Sequence, residues 1–117
     1  MDHSGNYFFE LLDAYRVARE ALKKLIEYKK RMHGLPGDVA RQLERAAVSV
    51  VANLCEGVGR VSDADRKNRF AIARGEANEA GGLIEIVVLY DVFSDEDYRF
   101  LRSSYLRVVC MLTGLMR

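Results

Sequence analysis

Tryptophan is absent from this chain, proline occurs once in 117 residues, and cysteine only twice. A lone proline, Pro36, leaves long stretches without the residue that most strongly breaks helices. Two cysteines are too few for the dense disulfide framework of a small secreted scaffold. Cys55 and Cys110 also lack metal-type spacing and lie in apolar helical surroundings, so buried, reduced thiols and a reducing cytoplasm are expected. No sign of charge prevails: 18 basic residues face 17 acidic ones, a net +1. A dedicated nucleic-acid binder shows a clear basic excess, so such binding would have to come from a local patch. No apolar run reaches membrane-spanning length, and the opening "MDHSGNYFFE" has no basic segment leading into an apolar one. Neither a membrane partner nor a signal peptide is therefore expected.

What is present is an ordinary globular composition, 50% hydrophobic and 30% charged. A chain of this length is expected to form one domain, residues 1–117. Its apolar positions repeat at threes and fours. Phe8, Leu11, Tyr15, Ala18, Leu22, Leu25 and Met32 predict a helix over about 6–33, with Asn6 as N-cap and "HGLPG" as its stop. A second helix is expected over 36–58. Ser62 with Asp65, and Ser94 with Asp97, have capping-box spacing and open helices over about 62–93 and 94–116. The fourth carries the stripe Tyr98, Leu101, Tyr105, Val108, Leu112 and Leu115. No segment alternates with period two. Four helices joined by short turns predict an all-α, antiparallel up-down-up-down bundle.

The second helix is too apolar for that bundle alone. At 100° per residue, Asp38, Gln42, Arg45, Ser49, Asn53, Glu56 and Arg60 fall within roughly 80° of one another. Leu43, Ala46, Ala47, Val48, Val50, Val51, Ala52, Leu54, Cys55 and Val58 fill most of the remaining circumference. A surface helix needs an apolar arc of somewhat over 100°. The surplus predicts burial against further copies of the chain. Gly75, Gly81 and Gly82, inside the third helix, each cost about 1 kcal/mol relative to alanine and predict a closely approaching backbone. Glu79 shares a face with Ile72, Leu83, Ile86 and Tyr90, where a lone carboxylate would be costly to desolvate. It is expected to pair with Arg45 or Arg60. Glu76 flanks the same face.

Catalysis is not expected. Glu56 and Glu79 could form a carboxylate pair, but no histidine or nucleophile accompanies them, and His3 and His33 lie near the terminus and in a turn. "GVGR" closes a helix, whereas phosphate-cradling glycines follow a strand and open one. Gly57 and Gly59 are instead expected to end the helix. Neither cofactor nor metal is implied. The first helix carries seven basic residues against four acids, a local +3. Arg16, Arg19, Lys23 and Lys30, at spacings of three, four and seven, form one ridge that could hold nucleic-acid backbone by charge. A solvated face laced with Glu–Lys pairs is the alternative. No aromatic residue interleaves with this ridge for base stacking.

The segment "RAAVSVVANLCEGVGR", followed by "FAIARGEANEAGGLIE", resembles the four-helix-bundle family encoded in 23S rRNA intervening sequences. The matching positions are Arg45, Ala46, Ser49, Asn53, Glu56, Gly57 and Arg60, then Phe70, Gly75 and Glu79. Glu76 stands where the family has serine, and the segment between Pro36 and Gln42 is about one turn short. The resemblance implies a cytoplasmic bundle assembled into a homo-oligomeric five-fold ring. A distantly related branch comprises accessory proteins of diversity-generating retroelements, which bind nucleic acid and a reverse transcriptase through a strongly basic ring. The expected function is thus a non-enzymatic, pentameric module binding RNA, DNA or a nucleic-acid-handling protein. A protein-only scaffold is the alternative. The polar stripe Arg45, Ser49, Asn53, Glu56, Arg60, with Glu79, is expected to be a hydrogen-bonded latch rather than a solvent face.

Overall fold

The computed structural model describes residues 8–117, a body 46 Å long and 20 Å across its shortest axis. Four α-helices account for most of it: α1 (Asp13–Glu27), α2 (Val39–Gly59), α3 (Asp63–Val88) and α4 (Asp95–Leu115). There is no strand among the described residues. The expected N-cap Asn6, like His3, lies outside them.

The first predicted helix is divided into three. A 3-10 turn, Phe8–Leu11, precedes Leu12, whose extended backbone separates it from α1. A second 3-10 turn, Lys29–Met32, follows Tyr28. Tyr28 explains the second break. Its buried ring packs edge-on against Phe93 with centroids 5.0 Å apart, and its hydroxyl donates to the Asp97 carboxylate. Holding the ring there requires a backbone tightened past α-helical geometry (φ −92°, ψ 0°). The hydroxyl bond, with the Lys24 ammonium nearby, holds the Asp97 carboxyl below its ordinary range.

The predicted serine caps form. The Ser62 hydroxyl accepts from the Asp65 amide at 3.0 Å, and that of Ser94 from the Asp97 amide at 3.1 Å, each satisfying one orphan donor of a first turn. The third helix ends five residues earlier than expected. Asp91 takes the left-handed conformation (φ 58°), turning the chain so that Phe93 enters the core while Leu89 and Tyr90 stay exposed.

The core is one cluster drawn from all four helices. Helix α1 contributes Ala14, Ala18, Ala21 and Leu25, a line of small side chains that lets its backbone sit close to its neighbours. Leu43, Val50 and Leu54 of α2 meet Phe70, Ile84 and Val87 of α3 and Leu101, Tyr105, Val108 and Leu112 of α4. Gly57 lies inside α2, with the Phe70 ring directly against it. It is not the helix-ending residue expected, and α2 runs on to Gly59 without a left-handed glycine. No described helix is long and apolar enough to cross a membrane.

Candidate functional site

Two sides of the bundle carry the chemistry singled out in the sequence. The first is the seam between α2 and α3. Arg45 projects from α2 and donates to Glu79 at 2.7 Å and Glu76 at 3.4 Å. Glu79 thus takes the first of its two expected partners, and the pair holds the Arg45 guanidinium more firmly charged. One to three turns further along α2, the Asn53 amide donates to the Ser49 carbonyl (2.9 Å) and hydroxyl (3.0 Å) and accepts from Arg69 (3.4 Å). Arg69 also reaches Glu56 at 3.2 Å, and Glu56 meets Arg60 at 3.5 Å. Arg60 pairs within its own helix and does not reach Glu79.

The seam consists of two polar clusters, Arg45 with Glu76 and Glu79, and Ser49, Asn53, Arg69, Glu56 and Arg60, and it is not buried within the single chain. The Arg45 side chain is 54% exposed and that of Glu79 38%. The heavy desolvation expected for Glu79 does not arise, because Ile72, Ile86 and Tyr90 on its face are themselves exposed and only Leu83 is buried. Sequence periodicity showed that these residues share a face but not which way the face points. Val48 and Ala52 flank the seam on the α2 side and Ile72 and Gly75 on the α3 side, all exposed. The polar line therefore runs through an outward apolar field.

Glu56 and Glu79 are not a catalytic-type pair. Each is held by its own arginines, and the attachment points on α2, at residues 45 and 56, lie about 16 Å apart along the helix. No group of three or more metal-ligating side chains converges among the described residues. Cys55 is half-buried and its thiol is pushed up by desolvation. Cys110 is exposed, contrary to expectation, because it lies on the outward line of α4 with Ser103, Leu106 and Gly114. One polar atom is conspicuously unsatisfied. The Tyr105 hydroxyl is buried without a partner among the described residues, and burial pushes its proton affinity far up. Tyr105 borders a groove of about 220 Å³ between α3 and α4, beside Gly81 and Gly82.

The second side is formed by α1 and α4. Arg16, Arg19 and Lys23 lie exposed on α1, while Lys30 falls in the 3-10 turn past its end, out of helical register with them. Arg19 pairs with Glu20 at 3.4 Å and Arg16 approaches Asp13 at 3.7 Å. Among the described residues Lys23 and Lys30 have no carboxylate partner. Nor do Arg99, Arg107 and Arg117 on α4 or just beyond it, which the sequence reading did not include in this face. On α2 and α3, by contrast, Arg41, Arg45, Arg60, Arg66, Lys67 and Arg69 are paired with acids, and Arg74 donates instead to the Thr113 hydroxyl. The near-zero net charge hides an uneven distribution: among the described residues most cations without an acid partner lie on α1, α4 and the segments that follow them, beside Lys24, Lys29 and Arg102, which are paired.

The profile of the 23S rRNA-intervening sequence protein family matches residues 10–114, nearly the whole described chain. The chain belongs to this family. Its fold is also that of a crystal structure determined at 1.70 Å, a protein of unknown function from the S23 ribosomal protein family of Bacteroides thetaiotaomicron VPI-5482. The two share 21% identity over 89% of this chain and 98% of the other, with a TM-score of 0.80. No curated protein matches. Within this member of the family, the residues Arg45, Ser49, Asn53, Glu56, Arg60 and Glu79 form the seam, and Phe70 and Gly57 are the contact beneath it.

The seam yields a direct prediction. Asn53→Ala removes three hydrogen bonds from a half-buried position and leaves Arg69 without its amide acceptor. A loss of about 1 kcal/mol is expected. A lower urea midpoint at unchanged slope would show it, whereas an unchanged midpoint would mean that water replaces the amide at no cost.

Proposed function

We propose that this chain is a non-enzymatic cytoplasmic module that assembles with copies of itself, as a five-fold ring, and binds nucleic acid through the basic α1–α4 side. The observation that carries this reading is the uneven distribution of charge. Lys23, Lys30, Arg99 and Arg107 lack carboxylate partners among the described residues; they lie on α1, the turn after it and α4, and Arg107 shares a groove with Arg16. Unpaired, exposed cations attract a polyanion by releasing its condensed counterions, without base recognition. Repeated round a ring, a modest patch gains through multivalency.

The four helices are inferred to run up-down-up-down. Residue numbers that rise along one helix meet falling numbers on the next: Arg45 meets Glu79 while Asn53 meets Arg69, and Glu85 meets Arg102 while Arg74 meets Thr113. Lys24 meets Asp97 while Leu12 and Asp13 lie beside Met111 and Leu115. This order places α2 and α3 together, opposite the basic side. The apolar field around the polar seam supports assembly through α2 and α3, leaving α1 and α4 to face the ligand.

Binding to labelled single-stranded and duplex oligonucleotides tests the reading. Affinity measurable at 50 mM salt should fall steeply as salt rises, and Lys23→Gln with Lys30→Gln should reduce the slope of log affinity against log salt by about one per removed contact. An intact oligomer that binds neither strand at low salt would establish a protein-only scaffold instead.

A further inference from the structure

Between α1 and α4 lies a groove of about 230 Å³ lined by Arg16, Val17, Glu20, Phe100, Ser104 and Arg107. It joins Arg16 and Arg107 to an aromatic ring supplied by α4. Phe100, a large apolar side chain in the second turn of α4, is 40% exposed. The Ser104 hydroxyl, which also lines the groove, donates to the Phe100 carbonyl at 2.7 Å, so that buried donor is already satisfied. We propose that this groove seats one unpaired base of a single-stranded nucleic acid. The base stacks on Phe100, and Arg16 and Arg107 hold the flanking phosphates. This deepens the proposed function and rests on it.

The polar groups favour that occupant over others. Two guanidinium groups border the groove, and Arg107 has no ion pair among the described residues, so an anion gains there without displacing a carboxylate. Glu20 lies within the lining and is engaged by Arg19. An apolar peptide segment would leave both arginines unused, and a duplex presents no free base face to Phe100. Stacking on an exposed aromatic side chain flanked by cations is the general device for gripping unpaired bases with little sequence preference. Asp95 and Glu96, in the first turn of α4, lie about one turn from Phe100, so the phosphates are expected toward Arg107, further along the helix.

Full-length protein and Phe100→Leu should be titrated with a fluorescein-labelled 12-nucleotide oligo-U strand and with its oligo-A duplex. Circular dichroism and melting would confirm that the variant folds, as a half-exposed position should allow. Phe100→Leu is expected to weaken single-strand binding about tenfold while leaving duplex binding and both salt slopes unchanged. Arg107→Gln should weaken both ligands and lower the salt slope by about one. Wild-type binding that Phe100→Leu leaves intact for both ligands would overturn the base seat and spare the charge-based reading. Absence of wild-type binding to either ligand at low salt would overturn both.

Discussion

Gly57→Val should cost the domain about 2–3 kcal/mol, far more than a small apolar change on a helix normally does. A Cβ at this position would stand 2.6 and 2.8 Å from two atoms of the Phe70 ring and 3.3 Å from the Arg69 Cβ. Carbon atoms do not approach so closely, so something must move. Phe70 is 3% exposed and packed in the common core, and its ring cannot turn aside without opening a void elsewhere. Forcing extra methyl groups into a packed interior costs about 1–3 kcal/mol. Any helix propensity gained on leaving glycine offsets only a few tenths of this for a β-branched residue. Equilibrium urea unfolding at one fixed protein concentration is the measurement, because assembly makes apparent stability depend on concentration. Phe70→Leu in the same chain should recover part of the loss, so that the double variant is less damaged than the sum of the two. A Gly57→Val chain as stable as the parent would show that Phe70 is not held against α2.

This contact also shows where sequence reasoning stops. Glycine at 57 and glycine at 75, 81 and 82 look alike in sequence: each is a costly residue in a helical run. The natural inference assigned the first to helix termination and the other three to a close approach. The structure reverses the assignment within the single chain, since Phe70 closes on Gly57 while nothing lies within 4 Å of a Cβ built at the other three. Periodicity reports which residues share a face, but a close approach depends on how two helices are placed, and that is a tertiary property. The same limit affects α1. Bulky residues at threes and fours suggested a stripe through Tyr15 and Leu22, both only half-buried. Of that stripe Ala18, Leu25 and Met32 are buried in the core, joined by Ala14 and Ala21, which are too small to stand out in a pattern read by size. The α4 stripe was legible because its inward residues Leu101, Tyr105, Val108 and Leu112 are both large and buried.

The polar seam was legible in part for a related reason. A carboxylate among apolar neighbours needs a cation, and Arg45 supplies it. The role of Arg69, which joins Asn53 to Glu56 across the helices, left no periodic signal, because it lies on α3 and meets the α2 stripe only when the two helices pack. The α4 half of the basic side was missed in the same way. Phe100 and Arg107 become part of one surface with Arg16 only when α4 is laid beside α1. Local spacing finds a ridge on one helix, and packing decides what stands across the groove from it.

Gly75 and Gly82 offer the sharpest test of assembly, because the two accounts of them predict opposite changes. Both are exposed and lie two turns apart on α3, beside Ile72, Ile86 and the polar seam. If that face is wet, glycine there only costs helix stability. Gly75→Ala with Gly82→Ala should then add about 2 kcal/mol to the chain, at about 1 kcal/mol each, and leave its mass in solution unchanged. If copies pack through this face, as the surplus apolar surface of α2 and α3 argues, each added methyl group stands where a neighbouring backbone must come closest. The double variant is then expected to fall to the mass of a single chain in light scattering, even as that single chain becomes harder to unfold. Retention of the parent's oligomeric mass would place the contact elsewhere on the molecule. A parent that scatters as one copy at micromolar concentration would remove the reason for invoking a contact at all. Separating stability from mass makes the result decisive, since a merely damaged fold would lose both together.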